Sequence, residues 1–472
     1  MRAPSTLLFV LLLLPYAYFN DGSGWNQRSR LAELHSVVLE RTLSIDRYHE
    51  VTGDKALIDG HYYSEKAPAT ALLALPAFGL TVLAQQALHI DPDREAGWNF
   101  SQWVATVGSV GTIAALGGMA FFSLLRRSMS AHHALVGTLA VFLGSLTWPY
   151  ATALFAHAAT IGLLSIAMWC VLDVSGREGG GGKPSGLPSE REGGGGKPSG
   201  LPSERPRDIL GGFCAGLAVA CEYPAVFGCA GLALIVGRAG RQRALRFCLA
   251  ALPGVLLILL KNYLITGSPW TVSYGSKPEF PGETAANNFG YGLPTVHSLS
   301  GLLFSEYRGL FYWSPVLLMA VPGLVAIGRR SAALAATIVA VFGLQLIQMS
   351  SFYNWFGGNA IGARYLSPAV PFLGLAAAHG INRLPKTGAA LTAISVGLMA
   401  MVTAIDIAPL QDAMRPFRDF YLPRLLDAQF APNLGTVLGL PPMASLDVLA
   451  VIMLLVGWRL LRALDVSASS AG

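Results

Sequence analysis

Apolar runs near the length of a bilayer crossing alternate with short polar stretches along most of this 472-residue chain. A helix needs ~20 mostly apolar residues to cross a hydrocarbon core. The pattern predicts spans near 4–19, 103–125, 134–149, 151–173, 248–266, 309–328, 331–350, 366–382, 386–407 and 446–464. Two further apolar regions are interrupted. Residues 67–88 contain Pro76, and residues 209–237 are broken by Glu222-Tyr223-Pro224. We read the first as a helix lying in the outer membrane interface. The second reads as a hairpin of two short helices with its tip below the surface, so that Glu222 faces a water-filled cavity rather than lipid. The expected fold is therefore all-α and membrane-embedded, with about twelve membrane helices.

The charges orient this pattern. Arg126/Arg127, Arg177 to Arg207, Arg238 to Arg246, Arg329/Arg330, Arg383/Lys386 and Arg459/Arg462 all flank apolar spans. Positively charged loops stay on the cytoplasmic side. Both termini are then cytoplasmic, and the polar segments 20–102, 267–308, 351–365 and 408–445 face outward. The run 4–19 follows Arg2 but lacks a small-x-small cleavage site, so it reads as a retained first helix. The expected location is a bacterial-type plasma membrane, crossed many times.

Composition agrees: 53% hydrophobic and 13% charged, which is membrane-protein usage. The net charge of +6 sits at helix ends as a topology signal, so no nucleic-acid partner is expected. The five cysteines lie in or beside apolar segments and show no metal spacing.

Three sections follow. Residues 1–174 form an N-terminal membrane half carrying the outward loop 20–102, and residues 209–472 form a C-terminal half. Residues 175–208 read as a flexible cytoplasmic linker in which REGGGGKPSGLPSE occurs twice in tandem. Its GGGGKP lacks the Gly-Lys-Ser/Thr and the preceding strand of a phosphate loop. No nucleotide cofactor is expected.

Two places in the first outward loop stand apart from ordinary surface charge. Asp21 follows the first apolar helix directly, which holds it at membrane depth. Glu65-Lys66 ends the loop inside His61-Tyr62-Tyr63-Ser64-Glu65-Lys66-Ala67-Pro68, where the next apolar segment begins. Lys261, Arg308 and Arg364 add cations at the membrane boundary, where uncompensated charge is costly and tends to be functional. Tyr353 and Trp355 lie in a Tyr-Asn-Trp-Phe-Gly-Gly-Asn stretch and are candidates for a cavity wall, with an interfacial aromatic belt as the plain alternative. Cations beside apolar surface suit a phosphate carried on a lipid chain.

A carboxylate after helix 1, then Tyr-Tyr-Ser-Glu-Lys-Ala-Pro before an apolar stretch, resembles the lipid-phosphate-sugar glycosyltransferases of the GT-C fold. The likeness is to the protein O-mannosyltransferase-like group, which includes the aminoarabinose transferase of lipid A. Gly-Ser-Pro at 267–269, Arg308-Gly309-Leu310 and Trp355-Phe356-Gly357-Gly358 add to it. The resemblance implies a catalytic carboxylate at Asp21, a phosphate-binding lysine at Lys66 with Tyr63 beside it, and a divalent metal ligand at Glu65. Ala67 stands where the group carries the first proline of Lys-Pro-Pro, and Asn-Asp-Gly where many members carry paired acids. It implies transfer of a sugar from a polyprenyl phosphate to a glycan, lipid or protein on the extracytoplasmic face. One base and no covalent step would invert the anomeric carbon, with Lys66 stabilising the leaving phosphate and Arg308, Arg364 or Lys261 helping. A lipid transporter or flippase is the rival class, since a broken hairpin and an intramembrane Glu222 also suit one. A non-catalytic relative acting as an assembly partner is a second.

Overall fold

A computed structural model describes residues 2–21, 24–174 and 204–469 of the chain. Most of the duplicated linker lies outside the described residues. Its last stretch does not: Glu204–Cys221 is one helix, so residues 204–208, expected in the linker, form its first turn. Asp208 there is fully buried and ion-paired to Arg243 at 2.9 Å and Arg246 at 3.4 Å. A buried carboxylate with two guanidiniums is a fixed contact rather than a linker position.

Among the described residues, the regular structure is helical apart from one two-stranded hairpin. α1 (Arg2–Tyr18) leads into the first loop, which holds α2 (Trp25–His35) and the antiparallel strands β1 (Lys55–Ile58) and β2 (His61–Ser64). α3 (Pro68–Ala87) follows, then α4 (Glu95–Thr106) and α5 (Thr112–Leu125), joined by a widened turn at Val107–Gly111. Among the described residues, six helices are long and apolar enough to cross a membrane, and five shorter apolar helices of 10–17 residues accompany them. The expected span 134–149 is shorter than the pattern suggested. Its helix ends at Phe142, and the chain breaks before a single turn at Thr147–Ala151.

Small residues let the longest helices touch. Helix Glu204–Cys221 packs against helix Arg241–Thr266 through Gly212, Gly216 and Gly254. A Cβ on Gly254 would come within 2.0 Å of the Gly216 carbonyl oxygen. Close backbone approach over small residues is how helices associate where lipid removes the hydrophobic driving force.

Polar contacts sort the helix ends into two faces. On one face, Arg127 donates to the carbonyls of Leu172 and Trp169 at 2.6 and 2.7 Å. His132 meets Asp465 at 3.1 Å on the same face, and Asp208 holds its arginines there. The other face carries the long loops. The two terminal helices run antiparallel: the Tyr18 hydroxyl donates to the Ser445 carbonyl at 2.7 Å, where the last helix begins. The basic clusters thus lie opposite the loops.

α3 has the length and hydropathy of a span, but both its ends belong to the loop face. At its start, the Lys66 carbonyl accepts from Lys261 at 2.9 Å. Just past its end, Asp93 meets Tyr48 and His35, each at 3.1 Å, from the first loop. A helix entering and leaving through one layer lies along the interface. The packing therefore decides against a crossing that length alone would allow.

Candidate active site

Two adjoining cavities open beneath the loop face. The larger, about 630 Å³, is polar and lined by Asp54, Glu65, Lys66, Lys277, Arg364 and Asp406, among others. The smaller, about 350 Å³, is mainly apolar, with Tyr223, Pro224, Val272, Phe289, Tyr291 and Phe352 in its wall. Glu65, Lys66 and Tyr365 line both. Lys66 therefore stands where a charged chamber meets a greasy one.

The β hairpin and the start of α3 set Lys66 in place. Its ammonium donates to Asp54 at 2.6 Å and to the Glu65 carboxylate. Burial alone would lower its pKa, but Asp54 and Glu65 outweigh that and raise it. It stays a cation. An ammonium has three donors, and these contacts use two. Burial would likewise push Asp54 up, yet Lys66, Lys277 and Arg364 together hold its carboxyl below the usual range.

Two guanidiniums flank this ammonium. Arg364 lines the polar cavity with its Nε buried and unpartnered. Its guanidinium lies over the rings of Phe155 and Tyr365, 5.4 and 4.9 Å from their centroids. Gly357 makes room for it: a Cβ there would meet the Arg364 Nε at 2.9 Å, and the residue's φ is +75°. Arg30 lines the apolar cavity, and its Nε is also buried without a partner. Buried donors of this kind are costly unless a ligand completes them.

Asp21 lies just beyond α1, half-buried. Its Oδ2 accepts from the Ile407 amide at 3.2 Å, and its own amide donates to the Thr152 carbonyl at 3.3 Å. Asp406, which lines the polar cavity, shares a hydrogen bond with the Asp21 side chain. Burial raises the Asp406 carboxyl above the ordinary range. The carboxylate expected alone at Asp21 is thus one member of a pair, with Asp406 facing the chamber.

The structure reassigns several expected ligands. Arg308 is fully buried and spends its donors on the carbonyls of Phe356, Gly358 and Tyr307 at 2.7, 2.7 and 2.9 Å. It shapes the Gly357-Gly358 turn and is not free for phosphate. Lys261 is committed to Glu33 at 2.6 Å and to the Lys66 carbonyl, so it positions Lys66 from behind. Tyr63 sits in β2 opposite Ala56 and lines neither cavity. Tyr353 lines neither cavity but donates at 3.0 Å to Glu283, which lines the polar one, and Trp355 belongs to a separate outer cavity. Glu222 does line the smaller cavity, and it meets His157 Nδ1 at 3.0 Å.

Glu65 does not fit a divalent ion. The ammonium of Lys66 already occupies the space between Glu65 and Asp54. Among the described residues no group of three or more His, Cys, Asp or Glu is arranged to hold a metal.

Asp54, Asp406, Arg30 and Lys277 were not singled out from the sequence. Arg30 and Asp54 sat among many charges of one loop, and Lys277 and Asp406 lie far from it in the chain. Lys277 is paired with Glu283, and its ammonium lies 3.6 Å from the centroid of Tyr274. One signal was visible: Asp406 is a carboxylate near the end of the expected apolar span 386–407.

No protein-family model matches the sequence, and a search of curated proteins finds no match. Among solved structures, ArnT from Cupriavidus metallidurans in the apo state aligns with a TM-score of 0.50 at 17% identity. That alignment covers 98% of this chain and 74% of ArnT. The same protein bound to undecaprenyl phosphate aligns at a TM-score of 0.46 and 16% identity. There the chain spans 62% of the length of ArnT, less than two thirds, and 84% of its own. The all-α, GT-C-type membrane fold expected from the residues is the fold found, and it is shared with ArnT.

Proposed function

We propose that the protein is a membrane glycosyltransferase that moves a sugar from a polyprenyl-phosphate donor to an acceptor in the polar cavity. One observation carries this reading: a lysine with a spare donor stands at the junction of a polar and an apolar cavity, with Arg30 and Arg364 on either side. A lipid-linked sugar phosphate has that same order of parts. Its chain suits the apolar cavity, its phosphate the three cations, and its sugar the polar chamber.

The chemistry follows from this placement. A sugar phosphate leaves as an anion and needs no proton donor. It needs positive charge already in place where negative charge develops, and such groups contribute most when they are preorganised and shielded from water. Lys66 and Arg364 supply it. An acceptor hydroxyl must lose a proton as it attacks, and the Asp21–Asp406 pair is the base. A carboxyl whose pKa is raised holds a proton more readily once it has received one. No side chain forms a bond to the sugar, so the anomeric carbon inverts. The basic face opposite the loops is cytoplasmic by the positive-inside rule, which puts the reaction on the extracytoplasmic side.

Mass spectrometry of cell-envelope glycans, with and without the gene, tests the proposal. A sugar modification present with the wild-type gene should disappear in its absence and in Asp21→Asn. With Lys66→Ala, turnover should fall at least ~100-fold, the scale for losing one preorganised electrostatic contact. Both variants should still insert. Unchanged glycans on deletion, or full turnover in both variants, would defeat the reading. A retained anomeric configuration would defeat its mechanism.

A further inference from the structure

The hairpin tip at Glu222-Tyr223-Pro224 and the start of helix Ala156–Val171 meet in the wall of the smaller cavity. His157 Nδ1 and Glu222 Oε1 are paired there at 3.0 Å. The two residues are only 5% and 9% exposed. Their remaining polar atoms, His157 Nε2 and Glu222 Oε2, are buried without a partner. A contact that served only to pin the hairpin would leave that cost uncompensated. A ligand atom beside Nε2 removes it.

Three rings fix the imidazole. Tyr150 meets it edge-on at 4.9 Å, Phe155 lies against it at 5.5 Å with the planes 20° apart, and Tyr365 meets it edge-on at 6.5 Å. Phe155 and Tyr365 are also the rings that carry the Arg364 guanidinium. Arg364 and Arg30 both act on the His157 ring electrostatically. Ala156, Arg30 and Lys66 line the same cavity as His157. The first-turn amides of helix Ala156–Val171 add the positive end of its dipole, which favours an anion. The ring therefore belongs to the cluster of aromatic side chains and cations at the junction of the two cavities.

We infer that His157, held by Glu222, is a fourth donor to the phosphate of the lipid-linked substrate and reaches it from the apolar cavity. This rests on the transferase reading above. A carboxylate on Nδ1 lets the imidazole hold a proton on each nitrogen while the pair stays neutral overall. Nε2–H then donates to a phosphate oxygen, and the negative charge of the phosphate keeps that proton in place. Lys66 and Arg364 meet the same group from the polar side. As the phosphate departs, the bond from Nε2–H strengthens with the developing charge.

Native mass spectrometry of the full-length protein in detergent tests this without requiring turnover. The probes are farnesyl phosphate and farnesol, which share a chain and differ in the phosphate. Wild type should bind the phosphate at least ~tenfold more tightly than the alcohol. His157→Ala should lower affinity for farnesyl phosphate at least ~fivefold, the scale of one charge-assisted hydrogen bond, and leave farnesol unchanged. His157→Gln, whose amide keeps a donor near the Nε2 position, should recover most of the loss. Glu222→Gln preserves the shape of the cavity if His157→Ala does not fold. It should weaken farnesyl phosphate at least ~threefold, again without effect on farnesol. An equal fall for both probes would make the pair a packing contact and overturn the inference. Unchanged binding in His157→Ala alongside a loss in Lys66→Ala would also overturn it, while the donor site of the transferase reading would stand. Equal binding of both probes by wild type would overturn both.

Discussion

At the scale of single residues, the decisive finding is that each charge near the chamber has a defined duty. Lys66 keeps its proton because two carboxylates face it, and Lys261 secures it from behind through the Lys66 carbonyl. Asp21 and Asp406 divide the remaining task. Burial raises Asp406, so a base built on the pair loses its proton only at a pH above that of an ordinary aspartate (~3.9). Activity should therefore rise with pH along a limb displaced upward from that value. In Asp406→Asn the like charge beside Asp21 is gone, and the limb should move to lower pH with a smaller loss of maximal rate than in Asp21→Asn. A pH–rate profile of the three proteins, taken with donor at saturation, reads this directly. An unmoved limb in Asp406→Asn would separate the two carboxyls.

Sequence reasoning placed Asp21 and Lys66 at the loop face because each adjoins an apolar helix whose end fixes its depth. It failed at Arg308 for an instructive reason. A charge at a membrane boundary is visible in the chain, but the destination of its donors is not. Two successive glycines with φ of +75° and +66° turn their neighbouring carbonyls inward, and a guanidinium is what satisfies them. Asp54, Arg30 and Lys277 were invisible for the complementary reason. Asp54 meets Lys66 and Lys277 meets Glu283 nearby in the chain, yet one sequence carries no sign that Arg30, Asp54 and Lys277 border the same two adjoining cavities.

At the scale of elements, glycine contacts hold helix Glu204–Cys221, whose end lines the smaller cavity, against helix Arg241–Thr266. A Cβ at Gly216 would lie 2.2 Å from the Ala251 carbonyl oxygen, whereas Gly343 has nothing within 4 Å. Gly216→Leu should push helix Glu204–Cys221 off helix Arg241–Thr266 and cost at least ~1–3 kcal/mol, the range for overpacking. Gly343→Leu should be nearly neutral. Thermal unfolding in detergent distinguishes them, and equal melting temperatures would show that the close crossing bears no strain. The apolar pattern located these helices but misjudged their ends. The helix expected over 134–149 stops at Phe142, and in the buried turn that follows the Ser145 hydroxyl accepts from the Thr147 amide at 3.2 Å.

At the scale of the whole molecule, the fold separates a basic face from a loop face. The orientation in a cell can be read by labelling. Glu50 is exposed on the loop face and Ala239 on the basic face. In a background with Cys248, the exposed native thiol, replaced by serine, Glu50→Cys should react with an impermeant reagent on intact cells. Ala239→Cys should react only after lysis. The reverse result would place the chamber inside the cell and end the reading of a lipid-linked donor used outside. The α3 helix also matters at this scale. Both its ends lie in the loop layer, so it does not reverse the direction of the helices after it, and the basic clusters fall on one face.

The amide of Ile407 that steadies Asp21 comes from 386 positions further along the chain. A ribosome delivers the N-terminal carboxylate early and its partner near the close of synthesis. The nascent protein therefore threads most of its helices into the bilayer before any reaction centre exists. Under the proposed function, premature termination upstream of Asp406 yields a chain without the Asp21–Asp406 pair, inert rather than partly active.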